Sequence, residues 1–186
     1  LQVDMMPSTA ICDGDAIDIT SSASGGNGGP YTFTWTDEFG NSHTPAGSGS
    51  PSVINDNPNV DTWYYVTVSD GCSLDESDSV QVAINALPSA FLSVVDSNGC
   101  EAFTANFIVN SDIGVQFDYD FTCDGVTDLS GSMTTASNTY SNAGLYDVCL
   151  TVTSADGCVT TISEPGLVEV YPVPTANFSA DPWETS

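Results

Sequence analysis

The sequence predicts an all-β protein made of two immunoglobulin-like β-sandwiches arranged end to end, and three observations support this. Several short segments alternate apolar and polar residues with the period of two that a strand requires. Turn-forming residues separate them, and no stretch keeps helical periodicity for three turns. The same landmarks recur at a fixed spacing, which indicates an internal duplication. About seven short strands in each repeat is typical of an immunoglobulin-like sandwich.

The predicted strands and turns follow one another along both halves of the chain. Alternation is clearest at residues 16–20, 31–36 and 64–68 of the first half and at residues 117–121 and 146–152 of the second. The intervening segments are rich in Gly, Pro and Asn, at residues 25–30, 47–51, 55–59 and 124–125. Such residues favour tight turns, so each half is expected to fold as short strands joined by loops.

The duplication sets the domain boundaries. Leu87-Pro88-Ser89-Ala90 resembles Val173-Pro174-Thr175-Ala176, with the two prolines 86 residues apart. Cys72 and Cys158 each follow an Asp-Gly pair and are also 86 residues apart, while Cys12 and Cys100 are 88 apart. We therefore predict one domain at residues 1–87 and another at 88–172. Residues 173–186 are predicted to be a linker and the first strand of a following repeat.

The charge of the chain is one-sided. It contains no Lys or Arg, 25 Asp plus Glu and one His, for a formal charge of −25. Lys and Arg salt bridges, Arg–phosphate forks and Lys Schiff bases are therefore impossible, and nucleic acid would be repelled. No apolar run is long enough to insert directly into a membrane. The 40% hydrophobic content is ordinary for a folded chain, so the acidity does not indicate disorder.

Cysteine usage favours an oxidising compartment. The chain has six Cys, no Cys-x-x-Cys pair and a single His, a pattern that indicates disulfides rather than a zinc site. Together with the acidity, this predicts an extracellular protein, either secreted or displayed at the cell surface.

Both halves resemble one family. Residues 117–121 followed by Asp124-Gly125, and the run from Asn138 to Val152, are similar to the PKD (polycystic kidney disease) domain. Residues 11–15, 28–35 and 70–72 resemble PKD-like, immunoglobulin-like repeats of secreted Bacteroidota cell-surface adhesins. The resemblance implies tandem PKD-type sandwiches in a long surface protein. It also implies carrier modules that accompany several different activities.

The immunoglobulin-like topology suggests disulfide pairs. Cys123 follows the third predicted strand and Cys149 lies early in the neighbouring next-to-last strand, so we expect a Cys123–Cys149 bridge. Cys12 and Cys100 fall in the turn after the first strand, and Cys72 and Cys158 in the turn before the last. These turns lie at opposite poles of a sandwich, which favours an interdomain Cys12–Cys158 bridge. The alternatives are pairing within each domain, as Cys12–Cys72 and Cys100–Cys158, and free thiols.

Clustered carboxylates raise the question of calcium. In the second domain the candidate ligands are Asp118, Asp120, Asp124, Asp128 and Asp147. Converging carboxylates repel one another, and hard oxygen ligands suit Ca²⁺, but the spacing is not that of an EF-hand. A solvated acidic face explains the same residues. A second candidate calcium site, at the junction of the domains, would use Asp13, Asp15 and Asp156.

Aromatic residues divide between the core and the surface. Tyr31, Phe33 and Trp35 alternate with threonines and are predicted to fill the core of the first domain. Trp63 and Tyr65 have the opposite parity from the core strand around them, so they are expected to point outward. There they either pack on neighbouring loops or stack on a sugar ring.

Three further residues stand out. His43 lies in a loop rich in Gly, Ser and Thr and is expected to be exposed. Asp78-Ser79-Val80 resembles the O-glycosylation signal of Bacteroidota, which makes Ser79 a candidate site. Asn177-Phe178-Ser179 fits the N-linked sequon at Asn177.

These observations predict a protein that is not an enzyme. One His and no Gly-x-Ser-x-Gly motif leave no hydrolytic triad. We predict a structural or adhesive repeat segment of a long extracellular surface protein or filament. Its expected partners are neighbouring repeats of the same chain, surface glycans or other copies in a filament. Two alternatives are accessory stalk domains of a secreted hydrolase and a carbohydrate-binding module that uses Trp63 and Tyr65.

Overall fold

The computed structural model describes residues 1–47 and 49–178. The chain divides into two compact units, the first at Leu1–Leu87 and the second beginning at Pro88. In the described residues both units consist of strands and loops, which confirms the all-β prediction. None of those residues belongs to a helix long and apolar enough to cross a membrane.

In its described residues, the first unit contains eight strands in two sheets. The strands are β1 (Gln2–Met5), β2 (Thr9–Cys12), β3 (Ile17–Ser24), β4 (Thr32–Asp37), β5 (Ser42–His43), β6 (Ser52–Asp56), β7 (Thr62–Ser69) and β8 (Glu76–Asn85). One sheet has the order β1-β3-β6 and the other β2-β8-β7-β4-β5. The chain leaves the smaller sheet after β1 and joins the larger one at β2, which runs parallel to β8.

The second unit repeats this arrangement. Its strands are β9 (Ala90–Val94), β10 (Asn98–Cys100), β11 (Phe103–Ser111), β12 (Gly114–Asp120), β13 (Leu129–Gly131), β14 (Thr135–Tyr140), β15 (Gly144–Ser154) and β16 (Val159–Tyr171). The sheets have the orders β14-β11-β9 and β10-β16-β15-β12-β13. Every strand pairing of the first unit recurs eight elements later, so the sequence duplication is a duplication of topology.

Alternation along the strands builds the core of the first unit. Trp35 on β4 is only 1% exposed, and it packs with Ile19, Ile54 and the valines of β7 and β8. Its indole Nε1 donates to Ser52 Oγ at 3.0 Å, so the one polar atom of the buried ring has a partner. Tyr31 and Phe33 are partly buried and pack against this cluster.

The core of the second unit is richer in stacked aromatic rings. Phe121 lies between Phe107 and Tyr119, with ring centroids 5.2 Å and 5.8 Å away. The buried hydroxyl of Tyr140 donates to the Phe121 carbonyl at 2.9 Å, and that of Tyr119 to the Met133 carbonyl at 3.0 Å. Each tyrosine therefore enters the core without leaving a donor unpaired.

The predicted linker and first strand of a third repeat, at residues 173–186, are described only in part. Residues 173–178 form no strand. The remainder of that predicted segment, residues 179–186, lies outside the described residues.

The two described tryptophans of the first unit give a matched test of this core. Replacing Trp35 with Ala should lower the free energy of unfolding by about 3–5 kcal/mol, because it leaves a large cavity and removes the hydrogen-bond donor to the Ser52 hydroxyl. Trp63→Ala, at a position 39% exposed, should change it by less than about 1 kcal/mol. Urea unfolding followed by circular dichroism measures both variants. Equal losses would show that Trp35 does not lie at the centre of the core.

Candidate functional site

A turn after β12 gathers most of the carboxylates singled out in the second unit. Asp120, at the end of β12, is 8% exposed, and its carboxylate accepts backbone N–H groups from the turn that follows. Gly125 N donates to Oδ2 at 2.8 Å, and Thr122 N and Asp124 N donate to Oδ1 at 3.2 Å each. The Asp120 carboxylate thus fixes the conformation of the turn through its hydrogen bonds to the backbone, as in an Asx turn.

The neighbouring carboxylates also have donors of their own. Asp128 Oδ2 accepts from Phe121 N at 2.8 Å, and Asp124 Oδ1 from Val126 N at 2.9 Å. Asp118 accepts from the Ser130 hydroxyl and from Gln116 Nε2. Asp147, on β15, accepts from Gly166 N at 2.7 Å. Each of the five predicted calcium ligands is therefore a hydrogen-bond acceptor within the protein.

The described residues contain no group of three or more His, Cys, Asp or Glu side chains arranged to hold a metal ion. Calcium binding by the five aspartates of the second unit stays a prediction. In the described residues their side chains are not arranged as a set of ligands around one ion. Asp13 and Asp15 belong to the first unit, beside the turn after β2, and Asp156 belongs to the second, in the turn before β16. Joint calcium binding by these three residues also stays a prediction.

The first unit has a buried carboxylate of the same kind, at a different place in the topology, that the sequence did not single out. Asp70, after β7, is buried and accepts N–H groups from Asn27 at 2.8 Å and from Ser73 at 2.7 Å. Cys72 N donates at 3.0 Å and the Ser73 hydroxyl at 3.0 Å. One side chain thereby joins the glycine-rich loop after β3 to the turn before β8. In the sequence, the feature that could have drawn attention to Asp70 was the recurrence of the Asp-Gly-Cys triplet in both halves of the chain.

These bonds shift the acidity of the buried carboxylates. The N–H groups of Asn27, Ser73 and Cys72 hold the pKa of Asp70 well below its usual range, because they stabilise the ionised form. Burial raises the pKa of Asp120, but the N–H groups of Gly125, Thr122 and Asp124 outweigh that effect and lower it overall. Backbone dipoles therefore take the place that Lys and Arg occupy beside carboxylates in other proteins.

His43 is not the exposed loop residue that the sequence suggested. It lies on β5 directly opposite Trp35, so its ring faces the core side of the sheet, and its side chain is 15% exposed. Nε2 is 3.3 Å from Asp37 Oδ2, and Nδ1 is 3.8 Å from Asp56 Oδ2. The ring of Tyr64 packs edge-on against the His43 ring, with the ring centroids 5.4 Å apart. The Tyr64 hydroxyl donates to Asp56 Oδ2 at 2.6 Å.

Asp37 is the centre of this cluster. Its carboxylate accepts Phe39 N at 2.9 Å, Asn41 N at 2.8 Å and Asn41 Nδ2 at 2.7 Å in addition to the His43 contact. Burial raises the pKa of Asp37, but the bonds from Asn41, His43 and Phe39 outweigh it and lower the pKa overall. Burial and the bond to Asp56 raise the pKa of Tyr64. The cluster fixes the turn between β4 and β5.

The cysteines fall into two groups. A disulfide joins Cys123 to Cys149, with their Cα atoms 4.9 Å apart, and it ties the turn after β12 to β15. Cys72 and Cys100 are exposed free thiols. Neither Cys12 nor Cys158 is free. Because Cys72 and Cys100 are free, the alternative of Cys12–Cys72 and Cys100–Cys158 bridges within each domain is wrong for this structure.

Strand register supplies the reason. Cys12 pairs with Asn85 at the end of β8, whereas Cys72 precedes the start of that ten-residue strand. At roughly 3.3 Å per residue the two are about 30 Å apart, far beyond the ~7 Å that a disulfide spans. Cys100 likewise pairs with Tyr171 at the end of β16, and Cys158 precedes its start. The Cys12–Cys158 pairing stays a proposal that non-reducing peptide mapping tests.

The outward-facing candidates lie on the larger sheet of the first unit. Trp63 and Tyr65 on β7 are 39% and 43% exposed, and both point away from the core. Tyr65 lies directly opposite Ser79 on β8 and Thr36 on β4, and Trp63 lies opposite Gln81. Ser79 is exposed on the same surface. Asn177 is also exposed, but Ser179 of its sequon lies outside the described residues.

Comparison with known proteins establishes the fold class. No family model matches the sequence, and no curated protein matches it. Among solved structures, the N-terminal eight immunoglobulin domains of Down Syndrome Cell Adhesion Molecule are similar, with a TM-score of 0.55 and 12% identity over 88% of this chain and 26% of that one. The fibronectin(III)-like modules of Clostridium thermocellum CbhA have a TM-score of 0.46 and 13% identity, covering 96% of this chain and all of theirs. The two-sheet topology and the likeness to Down Syndrome Cell Adhesion Molecule show that the chain has an immunoglobulin-like β-sandwich fold.

The turn after β12 gives a direct test of carboxylate capping. The folded-state pKa of Asp120 lies below the unfolded value of about 3.9, so its carboxylate stabilises the fold above that pH. This stabilisation disappears as the pH falls through the folded-state pKa. Asp120→Asn should cost about 1–3 kcal/mol at pH 7, and the difference from wild type should shrink below about pH 4.

Asp118→Asn is the control, because Asp118 is on the same strand but bonds only side-chain donors. Thermal melting from pH 2 to pH 7 compares the variants. A constant Asp120→Asn deficit at every pH would contradict the assignment.

The glycine-rich loop offers a second test. Gly26 has φ +60°, and a Cβ there would overlap Asp70 Oδ2, whereas Gly28, with φ +90°, has open space around it. Both Ala substitutions carry the backbone strain of positive φ, about 1–2 kcal/mol, but only Gly26→Ala must also displace the capping carboxylate. We expect Gly26→Ala to be the more destabilising of the two in urea unfolding. Equal effects would mean that Asp70 does not organise this loop.

Proposed function

We propose that this chain is a non-catalytic structural and adhesive segment of a long extracellular protein, built from PKD-like repeats. The observation that carries the proposal is the exact recurrence of one sandwich topology in both units, at a sequence spacing of 86 residues. Repeats of a single fold are how extended proteins gain length from one stable module. The carboxylates of the turns serve the same end, since they stabilise the loops of each module.

An extracellular location is supported by two observations. The Cys123–Cys149 disulfide persists only in an oxidising environment. The immunoglobulin-like fold is shared with a cell adhesion molecule, although at 12% identity that likeness concerns the fold alone. A charge of −25 also keeps such a surface hydrated and repels other copies of itself. Neighbouring repeats of the same protein and surface glycans are the partners that we propose.

The non-catalytic part of the proposal is supported by the histidine cluster. His43 directs one ring nitrogen to Asp37 and the other to Asp56, so neither nitrogen is directed at a serine or cysteine nucleophile. The carboxylates with lowered pKa values accept backbone N–H groups from nearby loops. The hydrogen bonds of the histidine and of these carboxylates therefore stabilise the fold, and a catalytic role is not needed to explain them.

Deleting residues 1–172 from the full-length protein in its native cell tests the proposal. We expect the shortened protein to reach the surface while the cells attach less firmly under flow, because the segment contributes length and contacts. Surface display is checked with an antibody against a retained part of the protein. Unchanged attachment together with lost hydrolysis of an external polymer would instead identify the segment as the stalk of a hydrolase.

A further inference from the structure

One surface of the first unit differs in chemistry from the rest of this acidic chain. It is the outer side of the sheet formed by β4, β7 and β8, and we call it the aromatic face. Cross-strand register places its members beside one another: Thr34, Thr36, Trp63, Tyr65, Thr67, Ser77, Ser79 and Gln81. None of the eight is charged, although the chain carries 25 Asp plus Glu. The face offers hydroxyls, one amide and two aromatic rings.

The two rings form a platform with unused polar atoms. Trp63 and Tyr65 are two positions apart on β7, so their Cα atoms are about 7 Å apart on the same side of the strand. The bond that Trp63 donates, to Glu38 Oε1 at 3.0 Å, uses its backbone N–H. Within the described part of the chain, neither the indole N–H nor the Tyr65 hydroxyl has a protein partner. Both remain available to a ligand.

The fold itself does not require these aromatic residues. In the second unit, 86 residues later, Cys149 of the disulfide takes the place of Trp63, and Thr151 takes that of Tyr65. Asp118 lies opposite Thr151, as Thr36 lies opposite Tyr65 in the first unit. The second unit builds the same sheet with a carboxylate and no exposed aromatic pair at these positions. The aromatic face is therefore a property of one repeat rather than of the sandwich.

The charge distribution selects the ligand. An anionic partner is repelled by a chain of charge −25. None of the eight side chains attracts a cation, and the Glu38 carboxylate beside Trp63 already accepts that residue's backbone N–H at 3.0 Å. A neutral molecule suits the face if it has apolar surfaces for the rings and hydroxyls for the Ser, Thr and Gln side chains. Sugar rings combine both, with C–H groups on their faces and hydroxyls at their edges. A flat, open sheet also accommodates an extended chain better than a compact molecule.

We propose that the aromatic face binds a neutral polysaccharide, with Trp63 and Tyr65 stacking on successive sugar rings and the surrounding hydroxyl and amide groups bonding the sugar hydroxyls. This inference deepens the proposed adhesive function, since it names the class of ligand. The structural role of the repeats does not depend on it.

The test is a binding assay with the whole 186-residue chain on cellulose, chitin, curdlan and mannan, with polygalacturonate as the anionic comparison. We expect binding to at least one neutral polymer and none to polygalacturonate. Trp63→Ala and Tyr65→Ala should each weaken binding at least tenfold, and Tyr65→Phe should retain most of it because the ring remains. Phe91→Ala is the matched control, since Phe91 is an exposed aromatic residue on a strand of the second unit. Circular dichroism and melting temperature verify that the variants fold.

Failure to bind any of the neutral polymers, or binding that both Ala substitutions leave unchanged, would overturn the proposal. Self-association of the wild-type chain that Trp63→Ala abolishes, in the absence of polysaccharide binding, would also overturn it and would identify the face as a contact between copies. Sedimentation velocity measures this directly. In each of these outcomes, reduced attachment of cells that carry the deletion of residues 1–172 would still support the structural role.

Discussion

Backbone N–H groups supply the positive charge density that the side chains of this protein lack. Asp120 accepts three such groups from a single turn, and Asp70 accepts three from two different loops. Asp37 accepts two together with the Asn41 amide and the His43 ring. A carboxylate that accepts several N–H groups is stabilised in its ionised form even when it is buried. Because N–H groups take the place of Lys and Arg as partners of the carboxylates, the chain can bury acidic groups and remain folded.

The same interaction organises the ends of the sandwiches. Strands in the two cores are specified by apolar alternation, whereas the loops between them are rich in Gly, Pro and polar residues. A buried Asp at the end of β7 or β12 gives each adjacent loop a fixed partner, and Gly26 is needed because the carboxylate of Asp70 approaches the backbone there. The disulfide between Cys123 and Cys149 reinforces the turn after β12, which Asp120 also stabilises. Acidic residues thus contribute to the architecture as well as to solubility.

Sequence reasoning predicted the fold class because period-two alternation and an 86-residue repeat are properties of the chain itself. The outward direction of Trp63 and Tyr65 followed from the same parity. The sequence did not indicate which hydrogen-bond donors each carboxylate contacts. Asp118 and Asp120 share a parity, yet one bonds side chains at the surface and the other turns inward to its own loop. His43 was misassigned because β5 is only two residues long, and its pairing with Trp35 depends on the tertiary fold.

The central claim is that hydrogen bonds within the protein, and not bound cations, keep the buried carboxylates ionised. Titration of the aspartate carboxyl carbons by NMR, with and without calcium, measures this most directly. The account predicts that Asp37, Asp70 and Asp120 titrate below the ordinary Asp value of about 3.9 in calcium-free buffer, and that added calcium leaves these titrations unchanged. Ordinary titration in calcium-free buffer, with lowered values only when calcium is present, would contradict it.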